Sequence, residues 1–247
     1  MLSRSTVKYI QSLTHRKFRD IHHSFIAETP KVVSEFINSS FQIEQIYATD
    51  EWVGSFEDKE KIGLLPVTII TNPELEKISQ LKTPHKVAGI FKIPNYPIPT
   101  DLSGKISVAL DDLQDPGNMG TIIRIADWFG VENIFCSQHT ANAYNPKVVQ
   151  SSMGSLAHVK VHYLEPESFL KDCNQKIFAA TLQGTSLYKA PPIKEGILLI
   201  GNEASGIRDS LLKISTEQIT IPRFGRAESL NAAIATAIFL SHFRSQQ

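Results

Sequence analysis

The feature that most constrains this fold is a series of short apolar runs separated by helical patterns. Residues 197–200 are apolar at every position, which is typical of a strand in a parallel sheet covered on both faces. Five further segments after residue 104 have strand patterns, namely KISVALDDL, VENIFCS, VKVHYL, KIFAATL and QITIP. Helical stretches separate most of these segments. The alternation predicts an α/β fold whose parallel sheet has helices on both faces.

A proline-rich segment divides the chain. Pro94, Pro97 and Pro99 remove backbone donors and disfavour helix in the residues before them, so residues 94–104 are predicted to form a linker. Before it, the strand patterns SFIA, QIEQIYAT, VTIIT and KVAGIF alternate with helical ones. We therefore predict a smaller α/β domain over residues 1–93 and a larger one over residues 105–247.

The composition is that of a globular chain that needs no covalent cross-links. Its 247 residues are 42% hydrophobic, and a chain of this length buries enough surface to fold without disulfides or structural metals. Cys136 and Cys173 have neither metal nor redox spacing, so we expect no metal site. The longest apolar stretch, residues 232–240, is too short to cross a bilayer, and the first residues lack the apolar core of a secretion signal. We expect a soluble, cytoplasmic protein.

Residues 1–31 are basic, although the whole chain carries 25 Lys and Arg against 25 Asp and Glu. This segment holds six Lys and Arg against two Asp and Glu. It could contact phosphates, whose attraction is largely independent of sequence. It could also be a solvated helical face, which is the interpretation that charge alone favours.

The common nucleotide-binding and hydrolase motifs do not occur in this sequence. It contains no G-x-G, no G-x-x-x-x-G-K-[ST] and no G-x-S-x-G. A nucleotide-like cofactor would therefore have to bind by a route other than a Rossmann or P-loop phosphate site.

Residues 111–130 form the first segment that suggests chemistry. A strand ends in acidic residues, Pro116 and Gly117 turn the chain, and a helix is predicted to start near Asn118. Amide groups at a helix start favour anions. Arg124 lies off the apolar stripe of this helix and is expected to be exposed. Taken alone, Asn118 would be an ordinary helix N-cap and Arg124 an ordinary surface arginine.

Two glycine-containing loops follow later strands. In residues 198–212 an apolar strand ends at Gly201, which could let a ligand approach the backbone, and Glu203 could accept hydrogen bonds. In residues 219–235 a strand stops at Pro222, and Ser229 precedes the last helix. The simplest interpretations are a tight turn and a serine N-cap beside a core leucine. Loops at such positions bind ligands in open α/β sheets.

Taken in order, the three segments resemble the motifs of the SpoU branch of the SPOUT superfamily, which are RNA 2′-O-ribose methyltransferases. The first motif, N-x-G-x-x-x-R, is matched by Asn118, Gly120 and Arg124. The second, G-x-E-x-x-G, is matched by Gly201, Glu203 and Gly206. The third, I-P-M-x-G followed by S-L-N, is matched by Ile221, Pro222, Gly225, Ser229, Leu230 and Asn231, with Arg223 where Met is usual. The resemblance is strong over residues 105–247. Residues 18–93 resemble, more weakly, the family's L30e-like substrate-binding domain.

The resemblance implies a C-terminal trefoil knot in the parallel sheet, S-adenosyl-L-methionine as methyl donor, RNA as substrate and a homodimer through the catalytic domain. The cofactor residues it implies are Thr181, Leu182, Gly201, Ile221 and Leu230. The catalytic residues it implies are Asn118, Arg124, Glu203, Ser229 and Asn231.

Two questions stay open at this point. The first is the role of Arg124. A guanidinium remains protonated in proteins, so Arg124 is expected to bind a phosphate and stabilise alkoxide charge. A role as base would need strong desolvation or a relay.

The second question is the substrate. Ribosomal RNA is favoured, because an L30e-like domain is more typical of the family's ribosomal-RNA enzymes. Transfer RNA, or a non-catalytic RNA-binding role, is the alternative. Modification of a base nitrogen is less favoured, because those SPOUT branches generally lack the Asn–Arg pair and the S-L-N signature.

Overall fold

The computed structural model describes residues 1–190 and 193–245. The helices and strands up to the proline-rich segment are α1 (Arg4–Ser12), α2 (Arg16–His22), β1 (Ser24–Glu28), α3 (Pro30–Ile37), β2 (Ile43–Ala48), α4 (Asp50–Ser55), α5 (Lys59–Leu64), β3 (Val67–Ile69), α6 (Asn72–Ile78) and β4 (Val87–Lys92). Those after it are β5 (Ile106–Leu110), α7 (Pro116–Trp128), β6 (Asn133–Cys136), α8 (Pro146–Ser151), β7 (Lys160–Tyr163), α9 (Pro166–Asp172), β8 (Ile177–Ser186), β9 (Gly196–Ile200), α10 (Asp209–Ile214), β10 (Glu217–Thr220) and α11 (Ala232–Arg244).

The chain divides into two compact units. The first contains Met1–Asn95 and Asn142–Ala157, and the second contains Tyr96–Ala141 and the chain from His158 onward. The boundaries 1–93, 94–104 and 105–247 stay predictions, but the grouping differs from them at Asn142–Ala157. This segment, which includes α8, packs with the first unit. Its Tyr144 ring centroid lies 4.9 Å from that of Phe25. Local patterning could not assign it, because its partner is far away in the chain.

The first unit is built on a four-stranded sheet in the order β1-β4-β2-β3. Strand β4 is antiparallel to both of its neighbours, whereas β2 and β3 are parallel. Phe25, Phe36 and Phe91 are fully buried against one another, with ring centroids 5.0 to 5.9 Å apart. These aromatic contacts give the unit its own core.

Most of the cations of the basic segment lie in α1 and α2, and the side chain of one of them is buried. Arg19 is 2% exposed. Its guanidinium donates to the carbonyl of Leu13 at 2.9 Å and to Oδ1 of Asn142 at 3.1 Å. Arg19 therefore holds the first unit together, and fewer cations of this segment are available to an external phosphate than the sequence suggests.

The second unit contains a six-stranded sheet in the order β10-β8-β9-β5-β6-β7, and every neighbouring pair is parallel. This confirms the predicted α/β fold, since each of the six predicted segments forms a strand. Residues of alternate parity face opposite sides. Leu199 packs with Leu211 of α10 on one face, whereas Phe178 contacts Phe243 of α11, with ring centroids 5.8 Å apart. Helices therefore cover both faces.

The strand order of this sheet reverses between β5 and β9. From β5 the chain continues to β6 and β7 on one side, whereas β9, on the other side of β5, is reached later through β8. Open parallel sheets bind ligands outside the carboxyl ends of their strands at such a reversal. The loops that follow β5 and β9 are the first two motif-bearing loops, so the fold brings them to this position.

In the part of the chain that the structure describes, no helix combines the length and apolar character that a membrane span requires. The same part of the chain holds no cluster of three or more His, Cys, Asp or Glu suited to a metal ion. Cys136 lies within β6, and burial raises the pKa of its thiol, so it is not an activated nucleophile.

Candidate active site

Three hydrogen-bonded side chains join the three motif-bearing loops. Nδ2 of Asn118 donates to Oε1 of Glu203 at 2.9 Å, and Nδ2 of Asn231 donates to Oδ1 of Asn118 at 2.8 Å. Asn118 follows β5, Glu203 follows β9 and Asn231 precedes α11. The structure thus brings together three of the five predicted catalytic residues, although Asn118 and Asn231 are 113 residues apart in the chain.

Glu203 is the acceptor that holds the first loop against the second. Its carboxylate also accepts the backbone amides of Gln114 and Asp115, both at 3.3 Å. Partial burial raises the pKa of Glu203, but the hydrogen bonds from Asn118 and the backbone amides outweigh it and hold the pKa below its usual value. Glu203 is therefore ionised at neutral pH, in the form that can accept all of these donors.

At the starts of α7 and α11, the capping residue differs from the simplest interpretation of the sequence. Helix α7 begins at Pro116, near Asn118, but its N-cap is Asp115, whose Oδ1 accepts the backbone amide of Asn118 at 2.8 Å. The side chain of Asn118 is therefore not a cap and turns to the other two loops.

At the start of α11 the simplest interpretation, a serine cap beside a core leucine, is wrong. The cap is Asn231, whose Oδ1 accepts the backbone amides of Ala233 at 2.9 Å and Ile234 at 3.3 Å. Leu230 is 48% exposed. Asn231 thus uses its oxygen to cap the helix and its nitrogen to reach Asn118.

A cleft of about 1100 Å³ opens beside the ends of β9 and β10 and the middle of β8. Its lining includes all five predicted cofactor residues, Thr181, Leu182, Gly201, Ile221 and Leu230, and three of the predicted catalytic ones, Glu203, Ser229 and Asn231. Pockets for small molecules measure roughly 300 to 1,000 Å³, so there is room for a ligand as large as a nucleoside derivative. The side chain of Leu182, which is 74% exposed, offers an apolar surface there.

Gly201 is required for a reason that the sequence did not indicate. A Cβ atom at this position would lie 2.3 Å from the carbonyl carbon of Gly206 and 2.4 Å from the nitrogen of Ile207. The loop closes on itself here, since Asn202 and Gly206 exchange two backbone hydrogen bonds of 3.0 Å. The close approach that needs glycine is therefore that of the loop's own backbone.

Sequence reasoning missed an ion pair that fixes the second loop to the end of β5. Asp111 is 1% exposed and accepts the backbone amide of Arg208 at 2.9 Å. Its Oδ1 also accepts Nε and pairs with Nη2 of Arg208, both at 2.7 Å. Nearby, the side chain of Asn202 donates to the carbonyl of Asp112 at 2.7 Å. The available signal was the acidic pair directly after β5, but its partner could not be read from the sequence.

Arg124 stands apart from the hydrogen-bonded group. It lies on the exposed face of α7 with Thr121 and Trp128, and it does not line the cleft. Within the described residues, its guanidinium has no hydrogen-bond or ion-pair partner. The structure therefore leaves this cation available to an external anion.

Comparison with known proteins agrees with this geometry. The model of the SpoU rRNA Methylase family matches residues 105–241, and that of the MRM3-like substrate binding domain matches residues 4–89. The chain is 29% identical over 242 residues to the Bacillus subtilis protein "23S rRNA (guanosine(2553)-2′-O)-methyltransferase RlmP", with 96% of this chain and 95% of the relative covered.

Solved structures extend the likeness to the whole fold. A protein of the TrmH family from Porphyromonas gingivalis is 34% identical, with a TM-score of 0.90 and all of both chains covered. An AdoMet-bound rRNA methyltransferase from Sinorhizobium meliloti is 29% identical, with a TM-score of 0.87 over 99% of this chain and 97% of that one. The family model spans more than half of the chain and includes all three motif-bearing loops. The chain belongs to the SpoU rRNA methylase family.

Proposed function

We propose that this protein methylates a ribose 2′-hydroxyl of ribosomal RNA with S-adenosylmethionine as methyl donor. The observation that carries the proposal is the group Glu203–Asn118–Asn231, which ties three loops together at the rim of the cleft. The names of the relatives from Bacillus subtilis and Sinorhizobium meliloti support ribosomal RNA over transfer RNA as the substrate.

The cleft fits S-adenosylmethionine in size and in lining. The proposed contacts are backbone groups around Gly201 and Ile221, the apolar side chains of Leu182 and Leu230, and the hydroxyl of Thr181. When bound, the cofactor supplies a methyl group that its positive sulfur already activates. The protein is left with the tasks of alignment and charge stabilisation.

The chain's own residues are proposed to orient the ribose and to stabilise charge. Ser229 lines the cleft next to Leu230 and is proposed to contact the sugar together with the amides of Asn118 and Asn231. Arg124 is proposed to bind the adjacent phosphate and to stabilise negative charge on the attacking 2′-oxygen. Glu203 is proposed to act as a positioning residue, through Asn118.

We also propose a homodimer formed through the second unit. Trp128 on α7 and Ile234 on α11 are 84% and 54% exposed, and these two helices pack against each other. Large apolar side chains exposed on neighbouring helices are typical of an interface. Light scattering is expected to give twice the mass of one chain. The resemblance further implies the trefoil knot in the C-terminal part of the sheet. We propose a cytoplasmic location.

The test of the proposed function is methyl transfer by the full-length protein to total RNA from cells that lack its gene. A 2′-O-methyl group blocks alkaline cleavage at the next phosphodiester, so mapping of resistant positions locates the product. We expect one new resistant position in large-subunit ribosomal RNA.

The other outcomes discriminate between the alternatives. Transfer mainly to transfer RNA would support that class of substrate. Absence of S-adenosylmethionine binding in calorimetry, together with no transfer to any RNA, would favour the non-catalytic role. A methyl group on a base would contradict the proposal.

A further inference from the structure

Phe224 lies on the rim of the cleft with almost its whole side chain in solvent. It is 95% exposed and belongs to the loop between β10 and α11, in which every residue from 223 to 231 is exposed. Among the described residues, no other aromatic ring packs against it. A single exposed phenylalanine needs no explanation. Two further features of the loop that carries Phe224, however, point to a ligand.

The first feature is charge. Arg223 and Arg226 flank Phe224 in the same loop. Arg223 donates to the carbonyl of Ala227 at 3.4 Å, and over residues 1–190 and 193–245 Arg226 has no hydrogen-bond or ion-pair partner. S-adenosylmethionine offers one carboxylate to these guanidinium groups, whereas a polyanion offers a phosphate to each of them.

The second feature is connection to the proposed catalytic group. The loop that carries Phe224 ends at Asn231, whose side chain both caps α11 and donates to Asn118. The other end of the loop follows β10 at Ile221 and Pro222, which also line the cleft. Phe224 thus belongs to the loop that links the cofactor cleft to the residues proposed to orient the ribose.

We propose that Phe224, with Arg223 and Arg226 beside it, is a platform on which an unpaired base of the RNA substrate stacks next to the methylated ribose. This inference rests on the proposed function and deepens it. Aromatic side chains bind unpaired bases through their faces, while arginines bind the adjoining phosphates. A base that is paired in a helix cannot present its face in this way, so the platform selects substrates whose target region is single-stranded.

The experiment compares full-length Phe224→Ala, Phe224→Trp and Arg226→Gln proteins with the wild type. The probes are a labelled oligouridine strand and the same strand annealed to its complement. We expect Phe224→Ala to weaken binding of the single strand roughly tenfold or more and Phe224→Trp to preserve it. We expect Arg226→Gln to lower the slope of log affinity against log salt by about 0.7. Lys105→Gln, at the amino end of β5, is the matched charge control and is expected to change neither.

Three outcomes would overturn the inference. Weaker S-adenosylmethionine binding by Phe224→Ala in calorimetry would make Phe224 a cover for the cofactor. A lower mass of this variant in light scattering would make it a subunit contact. Equal binding of paired and unpaired strands by the wild type would exclude stacking. Absence of methyl transfer by the wild type would instead overturn the proposed function, and the binding experiment does not depend on that result.

Discussion

Nδ2 of Asn118 donates a hydrogen bond of 2.9 Å to Oε1 of Glu203, although the two residues are 85 positions apart in the chain. The contact exists because β5 and β9 are hydrogen-bonded neighbours whose carboxyl ends point the same way. The loop after each strand therefore starts at the same edge of the sheet. Through this hydrogen bond, the position of the first motif depends on the conformation of the second.

Asn231→Asp separates the two roles of this residue. The variant keeps the oxygen that caps α11 but replaces the nitrogen that donates to Asn118 by a second oxygen, which repels Oδ1 of Asn118. We expect kcat to fall tenfold or more with little change in melting temperature. Asn231→Ala removes the cap as well and is expected to cost about 1 kcal/mol of stability in addition. An equal loss of stability in both variants would exclude the capping role.

Gly201→Ala tests the closure of the second loop. A methyl group there would clash with the backbone of Gly206 and Ile207, and overpacking of this kind costs about 1 to 3 kcal/mol. We expect a lower melting temperature and weaker binding of S-adenosylmethionine in calorimetry. Gly225→Ala is the matched control, because nothing lies within 4 Å of a Cβ atom at that position. If the two variants behave alike, the loop is open in solution.

Arg124→Ala is expected to remove activity without affecting the fold. Loss of one preorganised charge contact lowers kcat by about 10² to 10³, and the exposed side chain of Arg124 makes no contact that the fold needs. Steady-state kinetics and thermal unfolding measure the two effects. Lys105→Ala, which breaks an exposed ion pair with Glu132, serves as the control with unchanged kcat. A clear drop in the melting temperature of Arg124→Ala would indicate a structural role instead.

The ionisation of Glu203 gives a pH dependence with a defined sign. Because its pKa is lowered in the folded protein, its stabilising contribution is present above the ordinary carboxyl value of about 4.3 and is lost as the pH falls through the lowered value. Glu203→Gln lacks this contribution. We therefore expect the melting temperatures of wild type and variant to differ most near neutral pH and to converge in acid. Parallel curves over the whole range would contradict the hydrogen-bond pattern.

A chain that begins at Asp101 is expected to fold poorly. Tyr144, Val148 and Val149 are buried within the first unit, so removal of residues 1–100 would expose them. We expect increased binding of a hydrophobic dye and aggregation, relative to the full chain. A monodisperse truncated protein with a cooperative thermal transition would show that residues 142–157 do not depend on the first unit.

The strands and the three motif-bearing loops could be predicted from the sequence because their signals are local. An apolar run such as residues 197–200 indicates a buried strand, and Gly201 and Pro222 mark where strands end. The order of motifs then led to a family resemblance, from which the site residues followed.

The partners of individual residues were decided by the tertiary structure. The burial of Arg19 depends on Asn142, the role of Asp111 depends on Arg208, and the cap of α11 depends on which of Ser229 and Asn231 lies at the helix start. Residues 142–157 pack with the first unit although the second unit surrounds them in the sequence. Local patterns record that a side chain is buried or that the backbone turns. The identity of the neighbour is set by strand order and by contacts between segments that are far apart in the chain, and no local pattern contains that information.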